Sequence, residues 1–434
     1  MRYLFVMIVL LMGAAAFSDP AVLVELQKIT LEENPRIKAM KAEAQMMKKR
    51  IPQSVALEDP KLKLGINNLS VKNPSFTKED MTTKEIGVSQ MIPLGRLPYQ
   101  NKIARQEYEK AMIKLKAEKV ETLHMLRMNY YELLYTGSSI GILEDIKRQI
   151  RLVIDSEVAA TKAGTGSLAN VIKAKIEYNM IDEEIINLKQ KQREVQQNIY
   201  YLAGNSVKIP PAALSEPDFR EIAAEAVRKE VAASNPELKM LALDVEISKN
   251  EIALKNSEYA PELELGLSYM QRQDGKRQNS FDTMLGMGGP SVVYKSEKMK
   301  RDDMISAMAT FSIPFWFWQK NIPMVDEMKK KNETARNLYR DALNKMNARA
   351  ETLVGQLSRW RDLYKLYNER LIPQTELVLE TNLARYRTST VEFMPVVDSV
   401  RMLLRYRKER IMAVKEYLAS YSELNAMMGV EVLE

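Results

Sequence analysis

The chain has 434 residues, 46% of them apolar and 28% charged, a formal net charge of +7 from 64 Lys and Arg against 57 Asp and Glu, and no cysteine. That balance belongs to folded rather than disordered chains. Charges of both signs are mixed along the whole length, without the basic block or interleaved aromatics of a nucleic-acid surface, and without cysteine there is neither a disulfide framework nor a thiol for lipid attachment.

In chain order, the first 18 residues join Arg2 to an apolar run from Leu4 to Met12 and an Ala16-x-Ser18 step. This predicts a signal peptide over 1–18, too short for a spanning helix, and export without a lipid anchor. Past it no run of eighteen apolar residues occurs, so any membrane entry must use a closed β-barrel.

The mature chain is an internal duplication, 19–204 and 205–434. "NPRIKAMKAEAQ" at Asn34 recurs as "NPELKMLALDVE" at Asn235, and "DPKLKLGINNL" recurs as "APELELGLSYM" with Pro60, Leu62, Leu64 and Gly65 matching Pro261, Leu263, Leu265 and Gly266, all at an offset of 201. A second alternating stretch ends in Ile-Pro at Pro93 and again at Pro314, and Gly204 answers to Gly429. Strands are predicted at about 60–70, 83–93, 261–271 and 303–314, where period-two alternation puts Leu263, Leu265, Leu267 and Tyr269 on one face and Glu262, Glu264, Gly266 and Ser268 on the other.

Between them lie long helices. No proline occurs between Pro98 and Pro210, and Ile181, Ile185, Leu188, Val195, Ile199 and Leu202 form a heptad seam, as do Leu123, Leu126, Tyr130 and Leu133 on the preceding segment. Each half thus reads helix, strand, strand, long helix, helix, with hairpin tips at about 161–168 and 385–392.

Alternation over some ten residues suits either an outer-membrane strand or a half-buried soluble strand. Four such strands after a signal peptide favour the membrane, and because four cannot close, several chains must contribute; a trimer would supply twelve. The lipid-facing set is then Leu62, Leu64, Leu263, Leu265, Leu267, Tyr269, Phe311 and Ile313.

The paired Asn-Pro helix starts, the Pro-x-Leu-x-Leu-Gly strands, the Ile-Pro exits "MIPLGR" and "SIPFWFWQKN", and the tips "TKAGTGSLANVIKAKIEY" and "RYRTSTVEFMPVVDSVRML" resemble the TolC-like outer-membrane factors over essentially the whole mature chain. The resemblance implies a mainly α chain with membrane β: a trimeric twelve-strand β-barrel joined to a periplasmic α-helical barrel. It also implies a non-enzymatic exit channel of a tripartite efflux system, partnered by a periplasmic membrane-fusion adaptor and an inner-membrane pump, an RND type being favoured. In the family pattern Tyr386 is the tip tyrosine, Asp398 matches one pore aspartate, and Pro395 stands where another is expected. The implied gate set is Asp398, Glu392 and Asn170. The implied adaptor-contact tips are Gly164, Thr165, Gly166, Tyr386, Ser389 and Thr390. Many relatives carry a lipid anchor on the first mature residue, and with no cysteine in the sequence none is expected here.

"FWFW" over Phe315, Trp316, Phe317 and Trp318 reads as an interfacial aromatic belt, or as packing where barrel meets helix. The segment "RQDGKRQNSFDTMLGMGGPSVVYKSEKMKR" reads as a mobile extracellular loop. The 27 methionines include Met284, Met287, Met299 and Met304 near it, soft ligands that could pass Cu(I) or substitutes for leucine. The sole histidine, His124, reads as structural or surface. No phosphate-binding, zinc-hydrolase or nucleophile motif is present, so neither catalysis nor a cofactor is expected. The readings weighed against an efflux exit channel for metal ions or small toxic compounds are a type I secretion exit and a periplasmic coiled-coil scaffold.

Overall fold

In a computed structural model the described residues are 20–164, 166–204, 214, 216–286, 289–388 and 393–431. The element order is α1 (Pro20–Glu33), α2 (Pro35–Gln53), β1 (Lys61–Asn67), β2 (Thr83–Ile92), α3 (Leu97–Lys162) and α4 (Leu168–Ala203), then α5 (Ala224–Ser234), α6 (Pro236–Ser257), β3 (Glu262–Gln271), β4 (Gly275–Gly286), β5 (Gly289–Met299), β6 (Met304–Ser312), α7 (Asn321–Leu366), α8 (Ile372–Arg387) and α9 (Phe393–Met427). Each half opens on a pair of short helices where the sequence reading has one. The predicted signal peptide lies outside the described residues.

The chain forms two compact units, and each draws on both sequence halves: a helical unit of residues up to Gln45 with Glu109–Leu243 and Arg336–Glu434, and a sheet unit of Met46–Tyr108 with Asp244–Ala335.

The helical unit is held by seams. Leu123, Leu126, Tyr130 and Leu133 on α3 and Ile181, Ile185, Val195, Ile199 and Leu202 on α4 are all buried, as heptad spacing requires for helices facing neighbours along their length. Leu188 is partly buried against one of these clusters. Charge reinforces the contact of α4 with α9: Arg401 pairs with Glu177 and, one heptad along on both helices, Lys408 pairs with Glu184.

The Asn-Pro motifs act as double caps. Asn34 Oδ1 accepts from the backbone N–H groups of Arg36 (2.9 Å) and Ile37 (3.3 Å) at the start of α2, while its Nδ2 donates to Leu202 O (2.9 Å) near the end of α4. Asn235 repeats this, accepting from Leu238 N–H (2.9 Å) and donating to Met427 O (2.8 Å). One amide satisfies an orphan donor of one helix and an orphan acceptor of another. Proline follows because its missing N–H costs nothing in a first helical turn. Gly204 (φ 73°) and Gly429 (φ 67°) end the paired helices, and a Cβ on Gly429 would come within 3.0 Å of Pro236 and of Ser234 O.

α3 runs 66 residues without a break. Its counterpart in the second half is interrupted between α7 and α8 by a π-helical turn, Tyr367–Leu371, where Pro373, which has no N–H to bond back to Glu369, follows directly.

In the sheet unit the four strands run β1-β2-β3-β6, all antiparallel, so the two halves meet at β2 and β3. The connection read as a loop instead forms β4 and β5, a separate antiparallel hairpin. Phe281, Val292, Val293 and Tyr294 supply its strand preference, and Gly286 pairs with Gly289 at its far end. Arg301 ties the base of this hairpin to the β1–β2 connection: its guanidinium donates to Gln273 O and Glu79 O (both 3.2 Å) and pairs with Asp80.

Candidate functional site

Directly paired residues in a sheet share a face, so the register sorts the side chains. One face carries the rows Leu64–Ile86–Tyr269–Ile305, Leu62–Val88–Leu267–Ala307 and Ile92–Leu263–Phe311. The other carries Lys63–Gly87–Ser268–Ser306, Gly65–Glu85–Met270–Met304 and Met91–Glu264–Thr310. The apolar face is the bare one: Leu64 is 70% exposed, Leu267 61% and Ile305 74%, with Ile313 just past β6 at 79%, whereas Glu85 is 6% exposed. Glu85 is satisfied by Asn67 Nδ2 (2.7 Å) and Lys63 Nζ (3.1 Å). A water-soluble sheet would cover its leucines and expose its glutamate, the reverse of what is found.

Of the lipid-facing set, Leu62, Leu265, Tyr269 and Phe311 are also exposed and Leu263 is half-buried. Glu262 lies at the sheet end joined to the helices and pairs with Arg96 (2.8 Å). Phe315, Trp316, Phe317 and Trp318 follow β6 in a run of turns at that same end, all four exposed.

At the tips of the helical hairpins a buried acid takes the centre. Glu157 on α3 is 2% exposed. It accepts the Ser167 backbone N–H (3.0 Å), which closes the first tip, and the Tyr386 hydroxyl, which reaches across from α8. Tyr386 also packs edge-on against Phe393 at 6.1 Å. The first tip turns through Gly164 at φ 79°, and a Cβ on Gly166 would stand 2.5 Å from Thr161 N, so both glycines are dictated by the turn.

Asp398 is exposed on α9, with Arg401 3.5 Å away and itself bound to Glu177. Asn170 lies half-buried in the first turn of α4. Pro395 occupies the first turn of α9, where a proline fits in place of the expected acid. Glu392, Thr165, Ser389 and Thr390 lie outside the described residues.

Sequence reasoning missed Glu157, although a signal was present: it continues the Ile146, Ile150, Ile154 stripe of α3 and is thus an acid at a seam position. His124 packs by Nδ1 against Ser422 Oγ (3.0 Å), and burial pushes its imidazole below the ordinary value. Among the described residues no cluster of His, Cys, Asp or Glu could hold a metal ion, and no helix is long and apolar enough to cross a membrane.

Residues 26–205 match the sequence model of the outer membrane efflux protein family. The resemblance to the outer membrane efflux proteins is borne out. The second half lies beyond that match but repeats the first half's motifs, double cap and strands. Among solved structures, the chain is similar to a membrane protein from Pseudomonas aeruginosa at 13% identity, covering 95% of this chain and 91% of that one with a TM-score of 0.77. The outer membrane protein VceC of Vibrio cholerae follows at 13%, 94% and 96%, TM-score 0.74. The MtrE outer membrane channel of Neisseria gonorrhoeae, solved in an open state, stands at 12%, 95% and 90%, TM-score 0.73. At such identities the likeness is one of fold, and the fold is the TolC type. A search of curated protein sequences finds no match.

Proposed function

We propose that this outer membrane efflux fold works as a passive exit channel built from three copies of the chain. The observation that carries this reading is the inverted sheet, with its apolar face bare and the Glu85 carboxylate covered, in a sheet whose outer strands β1 and β6 each have one edge unpaired among the described residues. Lipid against the apolar face satisfies the first anomaly, and pairing of β6 with β1 of the next copy satisfies the second, because an open edge cannot face hydrocarbon. Four strands from each of three copies give twelve, an even number within the barrel range, and the antiparallel order carries through at every junction. A soluble coiled-coil scaffold leaves both the leucines and the edges unexplained.

The helical hairpins of three copies then form the conduit on the periplasmic side, and the tips form its gate. Glu157 and Tyr386 hold the two hairpins of a protomer together, and Asp398 and Asn170 line the constriction, where threefold repetition of a carboxylate favours cations. The tips Gly164, Thr165, Gly166, Ser389 and Thr390 meet a membrane-fusion adaptor, and an inner-membrane pump of the RND type delivers the cargo, metal ions or small toxic compounds. Cell fractionation tests the reading: a heat-modifiable trimer in the outer-membrane fraction that conducts in planar bilayers supports it, and a monomer released by osmotic shock overturns it.

A further inference from the structure

The β4–β5 hairpin continues the β3–β6 pairing without a slip. Met270 faces Met304 in the sheet and Gly275 faces Met299 in the hairpin, five positions along on each strand, so one register runs through both. Between them, over 271–274 and 300–303, the ladder is broken and side chains take over. Asp303 accepts the Arg272 backbone N–H (2.9 Å) and the Tyr269 hydroxyl, Arg272 Nε donates to Asp302 O (2.7 Å), and Asp274 accepts the Arg301 backbone N–H (3.2 Å). A ladder that breaks and resumes in the same register marks a bend in one long hairpin.

Arg301 sits in that bend with its side chain only 5% exposed. Its guanidinium donates to Gln273 O on the facing segment and to Glu79 O in the β1–β2 connection (both 3.2 Å), lies 3.5 Å from Thr77 O and pairs with Asp80. Gly275 makes room for it: a Cβ there would stand 2.3 Å from Nη2 and 2.6 Å from Cζ. The seat on the first half is itself ordered, Thr82 Oγ1 donating to Asn68 O (2.9 Å) and Asn68 Nδ2 to Met81 O (3.2 Å). A guanidinium is held out of water only where fixed acceptors meet its fork of donors. Its burial therefore requires the bend and the β1–β2 connection to keep one mutual position. Both lie at the end of the sheet away from the helices, which join it at Lys61, Ile92, Glu262 and Ser312.

We propose that Arg301 is the positioning residue of the channel's outer mouth, fixing the bend so that the β4–β5 hairpin stands in one orientation at the exit. The role rests on the channel reading above, in which this end of the sheet faces outside the cell. A two-stranded hairpin is marginal by itself, so without the guanidinium it swings about the bend and intrudes on the exit intermittently. Every partner of Arg301 belongs to its own chain, so each protomer sets its hairpin independently of its neighbours. Gly275 and Asp80 complete the device, the first by leaving the space and the second by supplying the counter-charge.

The hairpin carries Lys276, Arg277 and Lys298, so trypsin added to intact cells reports its opening from the outside. The full chain is compared with Arg301→Gln, with Gly275→Ala, which fills the guanidinium's space without touching a charge, and with Lys300→Gln, an exposed neighbouring cation, as control. Cleavage at those three sites is expected to be at least about ten-fold faster for Arg301→Gln and Gly275→Ala than for the parent and Lys300→Gln. Their trimers should melt normally yet show brief partial closures in planar bilayers that the parent does not. Parent-like resistance and parent-like traces from both variants overturn the positioning role and leave the channel reading standing. A parent hairpin cut as fast as the variants overturns it as well. A parent that neither assembles as a trimer nor conducts overturns both readings. Should Arg301→Gln and Gly275→Ala fail to assemble, Asp80→Asn, which leaves the carbonyl bonds in place, decides: faster cleavage than the parent supports the role and unchanged cleavage overturns it.

Discussion

Tyr386 donates its hydroxyl to Glu157, a carboxylate 2% exposed, and so joins the second helical hairpin to the first. The acid's other oxygen closes the first tip through Ser167, so one side chain serves both the turn and the cross-link. Tyr386→Phe keeps the ring contact with Phe393 and removes only the donor, leaving a buried acceptor short of one partner, at a cost of about 1–3 kcal/mol to the latch. The expected outcome is a larger and noisier single-channel conductance with normal assembly. Glu157→Gln should loosen the latch less, since the amide oxygen still accepts. Conductance in planar bilayers checks both.

The double caps predict equal behaviour at distant positions. Asn34→Ala and Asn235→Ala each remove an N-cap and a carbonyl partner, and each should lower stability by about 0.5–2 kcal/mol. Thermal unfolding in detergent should show similar drops for the two, and Asp at either site should recover the accepting half of the bond only.

The face assignment is tested by adding charge to adjacent strand positions. Leu267→Arg places a cation on the bare apolar face, where midplane burial in lipid costs about 2–4 kcal/mol. Ser268→Arg places it on the face of Lys63 and Glu85. The yield of heat-modifiable trimer should collapse for the first and hold for the second.

His124 gives a pH prediction with a definite sign. Burial, with Arg127 adding to it and Glu121 and Glu423 opposing, lowers its folded-state pKa, so the unfolded chain binds the proton more readily. Its contribution to stability is complete above the ordinary imidazole value of about 6.5 and is lost as pH falls through the depressed folded value. Denaturation midpoints should decline over that acid window more steeply for the parent than for His124→Gln, and NMR of the single histidine should give the folded pKa directly.

What could be read in advance followed the strength of each periodic signal. Leu263, Leu265, Leu267 and Tyr269 alternate cleanly, so the sheet and its two faces were legible, and the heptads of α3 and α4 fixed the buried seam. The β4–β5 hairpin was hidden because glycine, serine and charge interrupt its period of two. The π-turn at Tyr367–Leu371 leaves no mark except Pro373, which is equally at home in a first helical turn. Glu157 passed as one acid among many, because partnership with Tyr386 across 229 positions is decided by tertiary packing. Its place on the isoleucine stripe was the clue.

The central claim is that copies of the chain close the barrel through β6 of one and β1 of the next. The parent has no cysteine, so paired substitutions report cleanly. Lys63→Cys on β1 would be combined in turn with cysteine at Met304, Ser306, Met308 or Thr310 on β6, covering the same face at successive registers, and membranes would be oxidised and run without reductant. The account predicts that at least one pair gives a covalent ring of three chains that reduction returns to monomer. Monomers at every pairing, from protein that is folded and in the membrane, would contradict it.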